Sequence, residues 1–280
     1  MHGFEGLADF NPVTKGEVYR NSKTKIYTDG TTNSIVSRNF IFKDKDIHSE
    51  YLENKLYYAP IEIKKHKKSI EHLDSEPRND SLKRAKDKIF DLVLNNEFDY
   101  FFTGTINPEK YDSKSAAELI KPVQQWLKDM VKRYGLHYVM IAEYHKKGGI
   151  HFHGCLKSDK HLKMEYSGTK LYKGYKKPVS DDKAEKRGLT DGRAVYNLKS
   201  WSFGFTTCIK LVGDRMNTAF YITKYITKDC KKIFGRFFWH SQNLQLPLVV
   251  IKDMDFDSID SMEVKGFKYQ FIRGSEYETK

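Results

Sequence analysis

Apolar and polar positions follow two different periods along this chain, and each change of period marks an element. Residues 18–28 and 35–42 read as short strands, and Glu76-Pro77-Arg78-Asn79-Asp80 as a loop. Over residues 80–95 the period becomes helical. Leu82, Ala85, Ile89, Leu92 and Val93 recur on one face, and Asp80 or Ser81 can cap the start. Residues 99–106 are β-rich and close on Asn107-Pro108, a turn signal. A second helix follows. Ser115 with Glu118 forms a capping box, and Val123, Trp126, Leu127, Met130 and Tyr134 make its apolar face. Pro122 predicts a kink or a restart, and Gly135 a stop.

Two strands, 137–145 and 150–157, then flank Lys146-Lys147-Gly148-Gly149, a tight hairpin. Periodicity is lost over 158–200. It returns at 201–212, where Trp201, Phe203 and Phe205 alternate as in a strand. Gly213-Asp214 opens a helix predicted to run to about residue 231. Residues 237–239 and 246–251 read as late strands, and 253–263 as an acidic tail.

Charge narrows the partners. The 280 residues carry 49 Lys+Arg against 37 Asp+Glu, a net +12, which favours a polyanion because phosphate neutralisation releases counterions. Residues 157–200 hold twelve Lys/Arg and six Asp/Glu, half of that excess, with Tyr166, Tyr172, Tyr175 and Tyr196 between them. The stretch reads either as a floppy insertion or as a flap that clamps single-stranded nucleic acid by charge and stacking. Lys176 and Lys177 are candidate contacts within it. Lys64-Lys65-His66-Lys67-Lys68 reads as a solvated face or a phosphate contact. Three cysteines without a CxxC exclude a disulfide framework and a zinc knuckle, and fit a reducing compartment. Apolar runs such as Leu248-Val249-Val250-Ile251 fall far short of the ~20 residues of a membrane helix. Met1-His2-Gly3-Phe4-Glu5 lacks the order of a secretory signal, so a cytoplasmic location is expected.

Three constellations carry chemistry. In Ile150-His151-Phe152-His153-Gly154, strand alternation puts both imidazoles on one face. If Lys147-Gly148-Gly149 is the loop, Lys146 pairs with Ile150, His145 faces His151, and Glu143 faces His153. Two imidazoles and a carboxylate suit Mg²⁺ or Mn²⁺ acting on phosphate, and affinity order alone also allows Zn²⁺. HxH by itself equally describes two surface histidines. In Tyr221-Ile222-Thr223-Lys224-Tyr225-Ile226-Thr227-Lys228, helical spacing presents two phenols on one face, with Lys224 a step round the turn and Lys228 beyond. A phenol of pKa ~10 is only about 0.1% ionised at neutral pH, and lysines or a metal would favour the anion. An isolated YxxxY also describes two packing residues. In Phe101-Phe102-Thr103-Gly104-Thr105-Ile106-Asn107-Pro108, alternation groups Phe101, Thr103 and Thr105 on one face.

Taken in order, F-x-T-x-T-x-x-P, Glu then His-hydrophobic-His on a hairpin, and a later YITKYITK segment resemble the HUH endonucleases. The resemblance is to the two-tyrosine rolling-circle replication initiators of single-stranded DNA phages, the microviruses and their gokushovirus-like members, over residues 98–251. It implies an α+β fold with a central antiparallel sheet of about five strands and flanking helices. It implies a nickase domain at 98–251 with a basic insertion at about 158–200, between a 1–97 extension and a 252–280 acidic tail. It further implies that His151, His153 and Glu143 hold a divalent metal, Mg²⁺ or Mn²⁺, with His145 a competitor for the acidic position. Tyr221 and Tyr225 match the nucleophile pair, and Lys224 a lysine that assists at the scissile phosphate. Thr103, Thr105, Lys176, Lys177 and Lys228 are the candidate DNA contacts. Gly104 stands where the family often carries a bulkier residue. The implied reaction is origin nicking and re-ligation through a 5′-phosphotyrosine, on single-stranded DNA in a bacterial host, with a helicase and a polymerase as further partners. The competing readings are a non-catalytic single-strand-binding protein, a plasmid or transposon initiator, and a zinc hydrolase using Cys155.

Overall fold

The computed structural model describes residues 18–44, 79–145, 148–226 and 232–274. In chain order the elements are β1 (Val18–Arg20), β2 (Ser22–Ile26), β3 (Thr32–Ser37), β4 (Phe42–Asp44), α1 (Asn79–Asn95), β5 (Tyr100–Thr105) and α2 (Ala116–Tyr134). They continue as β6 (Leu136–Tyr144), β7 (Ile150–Ser158), β8 (Met164–Leu171), β9 (Val179–Ser180), α3 (Asp181–Lys186), β10 (Arg193–Leu198) and β11 (Thr206–Lys210). The last are α4 (Arg215–Thr223), β12 (Phe238–His240), β13 (Leu248–Lys252) and β14 (Phe267–Ile272). The fold is α+β with antiparallel sheets, as expected.

The described residues form two units, 18–44 with 248–274, and 79–247. The expected boundaries shift accordingly. Residues 79–97 join the second unit through α1, and 248–274 join the N-terminal strands. In the first unit the sheet order is β13-β2-β3-β14. Val36 packs with Phe256 and Ile259 in a small core, so the acidic segment is not a loose tail. Its charge has partners: Arg38 donates to both Glu263 oxygens, at 3.1 and 2.6 Å, and holds that carboxyl below its usual range. The basic run at 64–68 lies outside the described residues.

The second unit is built on eight antiparallel strands in the order β12-β6-β7-β5-β11-β10-β8-β9. This exceeds the expected five because residues 158–200 supply β8, β9 and β10 instead of an irregular insertion. Much of β8 is exposed or half-buried, so neither face demands apolar residues and no period of two develops.

α2 forms as its sequence predicts. Ser115 caps it by accepting from the Glu118 N–H at 3.4 Å, and Gly135 ends it at φ 63°, its N–H donating to the Val131 carbonyl. It runs through the exposed Pro122 as one element, without the expected restart. Its stripe of Leu119, Val123, Trp126, Leu127 and Met130 buries against Phe102, Met140 and Phe152 of the sheet. Each such side chain contributes roughly 1.5–3 kcal/mol. α1 packs beside α4, with Phe90 and Phe220 ring centroids 5.1 Å apart.

The segment before β11 departs from its sequence reading. Trp201 and Phe203 are buried in the core but outside any strand, while Phe205 is 72% exposed. Trp201 meets Phe102 edge-on at 5.3 Å, Trp126 at 5.0 Å and Phe152 at 5.5 Å. This explains Gly104. A Cβ there would come within 2.9 Å of the Trp201 ring and 2.7 Å of Phe102. The indole fills the space that a larger residue would otherwise occupy. Trp201→Ala should therefore cost about 3–5 kcal/mol in urea unfolding. Gly104→Val should also destabilise, through overpacking.

Candidate active site

The site is assembled on β5, β6 and β7, which are adjacent in the sheet. β7 pairs with β5 so that Thr103 lies opposite His153 and Thr105 opposite His151. β7 pairs with β6 so that Glu143 lies opposite His151 and Ile141 opposite His153. That last register corrects the expected one. The His145 N–H donates to the Gly149 carbonyl and the Gly148 N–H to the His145 carbonyl, both at 2.7 Å. Gly148, not Gly149, takes the left-handed conformation, at φ 85°. The turn sits one residue earlier than expected, so every pairing moves by two along one strand.

The side chains still converge. Phe101, Thr103, Glu143, His151 and His153 share the face that α4 crosses. Glu143 reaches diagonally, its Oε2 3.2 Å from His153 Nε2. On the far side of the ring, Thr103 Oγ1 lies 3.3 Å from His153 Nδ1. The His145 ring stacks on His151 at 4.8 Å, and the His151 and His153 centroids are 6.3 Å apart. Burial, followed by the neighbouring His145 and His153 rings, lowers the His151 pKa below its usual value. That favours the neutral imidazole, the form that ligates metals.

α4 begins with Asp214 accepting from the Met216 N–H at 2.8 Å. Met216, Ala219 and Ile222 are its buried face. The helix ends at Thr223, earlier than predicted, and the chain tightens into single i−3 bonds. The Tyr225 N–H donates to the Ile222 carbonyl and the Ile226 N–H to the Thr223 carbonyl. Both phenols nevertheless point the same way. The Tyr225 hydroxyl donates to the Tyr221 hydroxyl at 3.2 Å. The Tyr225 ring stacks on His153 at 3.9 Å and 14°, and Tyr221 meets Phe101 edge-on at 4.9 Å. Lys224 Nζ sits 3.4 Å from the centre of the Tyr221 ring and 5.1 Å from that of Tyr225. Burial, then the Tyr221 contact, pushes the Tyr225 pKa well above the usual phenol value. This differs from the expectation of a stabilised anion: the lysine lies over ring faces, and desolvation dominates.

The donor chemistry fits a divalent cation. Two imidazoles and a carboxylate share one face, and 3.2 Å is the spacing of two ligands about one ion with bonds of ~2.1 Å. Among the described residues, however, no three His, Cys, Asp or Glu side chains are already drawn together as a metal-binding group. Cys155, the extra ligand of a zinc reading, is fully buried, and burial raises its thiol pKa far above the usual value.

The candidate DNA contacts separate. Thr103 lies against His153, and Thr105 opposite His151. Lys176 and Lys177 are exposed on the turn after β8, and Lys228 lies outside the described residues. A cleft of about 620 Å³ does open beside Tyr221. Its walls include Phe101, Tyr172, Lys173, Tyr175 and Arg193, none of which the sequence reading gave a role in the site. The interleaving of Tyr and Lys at 172–175 was the available signal.

Among the described residues no helix is long and apolar enough to cross a membrane. No curated protein and no solved structure matches the chain. Residues 99–230 match the model of the Replication-associated protein ORF2 family. The match encloses every candidate residue named for metal, nucleophile or DNA, and this part of the chain is similar to replication-associated proteins.

Proposed function

We propose that this protein initiates rolling-circle replication by nicking single-stranded DNA at an origin and later re-ligating it, as a two-tyrosine HUH enzyme of the microvirus kind. The observation that carries the reading is the meeting of two phenol oxygens, 3.2 Å apart, with a ring stacked on His153.

One phenol oxygen attacks the scissile phosphorus. The Tyr–O–P bond forms as the P–O3′ bond breaks, the phenol loses its proton, and the 3′ oxygen takes one up. A 5′-phosphotyrosine and a free 3′-hydroxyl result, and the reverse reaction ligates. His151, His153 and Glu143 would hold Mg²⁺ or Mn²⁺, which when bound neutralises charge on the phosphate. Thr103 orients the His153 ring from its Nδ1 side. Lys224 brings positive charge to the same place. The second phenol remains free to cut the regenerated origin after a full circle. The setting would be the cytoplasm of a bacterial host, with the host helicase and polymerase taking over the 3′ end.

A non-catalytic single-strand-binding protein would use the same basic surface. Incubating a labelled single strand with Mn²⁺, with and without EDTA, separates the two, because a mere binder leaves the strand intact. The cleft beside Tyr221 is the natural bed for flanking nucleotides, with Tyr175 to stack and Lys173 and Arg193 to meet phosphates. Lys173→Ala with Arg193→Ala should weaken single-strand binding several-fold. It should also make log K against log salt shallower by about 0.7 for each phosphate no longer neutralised. Unchanged affinity and slope would remove the strand from this cleft.

A further inference from the structure

A larger cleft, of about 1010 Å³, opens at the other end of the sheet, where the β12 edge meets α1 and α2. Arg84 reaches it from α1, Lys128 and Lys132 from α2, and Lys232 and Arg236 from the segment before β12. Its lining contains no Asp or Glu. A surface drawn at random from 49 Lys+Arg and 37 Asp+Glu would carry both signs, so the segregation is a property of this place. All five cations are exposed, and none forms a salt bridge within the described residues. Lys128 and Lys132 are one helical turn apart and project as a pair. Lysines on a sheet edge also deter strand pairing. Arg84, Lys128 and Lys132 stand on helices, however, and edge protection does not account for them.

Held together, these charges repel one another, and a polyanion relieves that repulsion. The floor supplies a second feature: Phe237, Phe238 and Trp239 line it, and Lys232 Nζ lies 5.3 Å from the Phe237 ring centre. A cationic rim over an aromatic floor is the chemistry of a single-strand track. β12 is two strands from β7 in the sheet, roughly 10 Å at ~4.8 Å per strand, so a strand leaving His153 reaches this edge quickly.

We infer that this cleft binds a second stretch of single-stranded DNA through its phosphates, apart from the nicking site. The inference rests on the replication reading for the identity of the polyanion. The test compares the full chain with its Arg84→Ala/Lys128→Ala/Lys132→Ala variant, by fluorescence anisotropy, on strands of about 40 and about 8 nucleotides. The variant should bind the long strand about tenfold more weakly, with a salt slope shallower by about 2, the value for three phosphates left without a cation at ~0.7 each. Binding of the short strand and covalent capture of it should be unchanged. The charge-preserving Lys128→Arg/Lys132→Arg variant should behave as the parent. A triple variant that binds the long strand with parental affinity and slope overturns the cleft while leaving nicking intact. A parent chain that binds neither strand and captures neither overturns both readings.

Discussion

Replacing Tyr221 and Tyr225 together by phenylalanine is expected to abolish covalent attachment of DNA, a loss of at least ~10³-fold in nicking. Each single substitution should leave measurable nicking, because the two hydroxyls are 3.2 Å apart and one can stand in the place of the other. The fold should survive. Tyr221 is 45% exposed, and phenylalanine keeps both the edge contact to Phe101 and the stack on His153. Thermal unfolding of the double variant should therefore lie close to that of the parent. An adduct that persists in the double variant places the nucleophile elsewhere in the chain.

The second large effect concerns the imidazoles. His151→Ala should lower nicking by about 10²–10³-fold, the several kcal/mol that a divalent ion contributes to phosphoryl chemistry. The same loss should follow EDTA treatment of the parent, and EDTA should have little further effect on the variant. His151 is the better choice for this test than His153. His153 also carries the Tyr225 stack and the Thr103 contact, so its removal would disturb the nucleophile directly. Full activity in His151→Ala would dismiss the metal assignment.

How far the site could be read in advance depends on the kind of information each residue needed. His151 with His153, and Tyr221 with Tyr225, required only local periodicity. A strand puts i and i+2 on one face, and a turn of helix puts i and i+4 together. That relation survived even though α4 ends at Thr223, because the chain keeps turning through Ile226. The hairpin register required knowing which of two adjacent glycines turns the chain, and either can. The choice of Gly148 put Glu143 opposite His151. Glu143 still reached His153 because diagonal neighbours on a twisted pair remain within range of a long side chain.

Non-local pairing was out of reach. Nothing in 248–274 says that it completes a sheet with residues 22–37, since strand partners distant in sequence leave no local trace. Trp201 and Gly104 illustrate the same point inside the core. The small residue and the large one that fills its space are on different strands or loops, and only the packing relates them. Residues 158–200 failed for a third reason. A partly exposed ribbon has no apolar face to pattern, so its strands were invisible while its charge and tyrosines were plain.

All of the chemistry depends on Tyr221, Tyr225 and His153 acting on one phosphodiester. The most direct measurement incubates the full chain with Mn²⁺ and an origin-bearing single strand labelled on one side of the nick or on the other, followed by a denaturing gel. The account predicts that the 3′-side label travels with the protein, joined through its new 5′ phosphate, while the 5′-side label runs free with a 3′-hydroxyl. Cleavage with neither label retained by the protein, or retention of the 5′-side fragment alone, would contradict it.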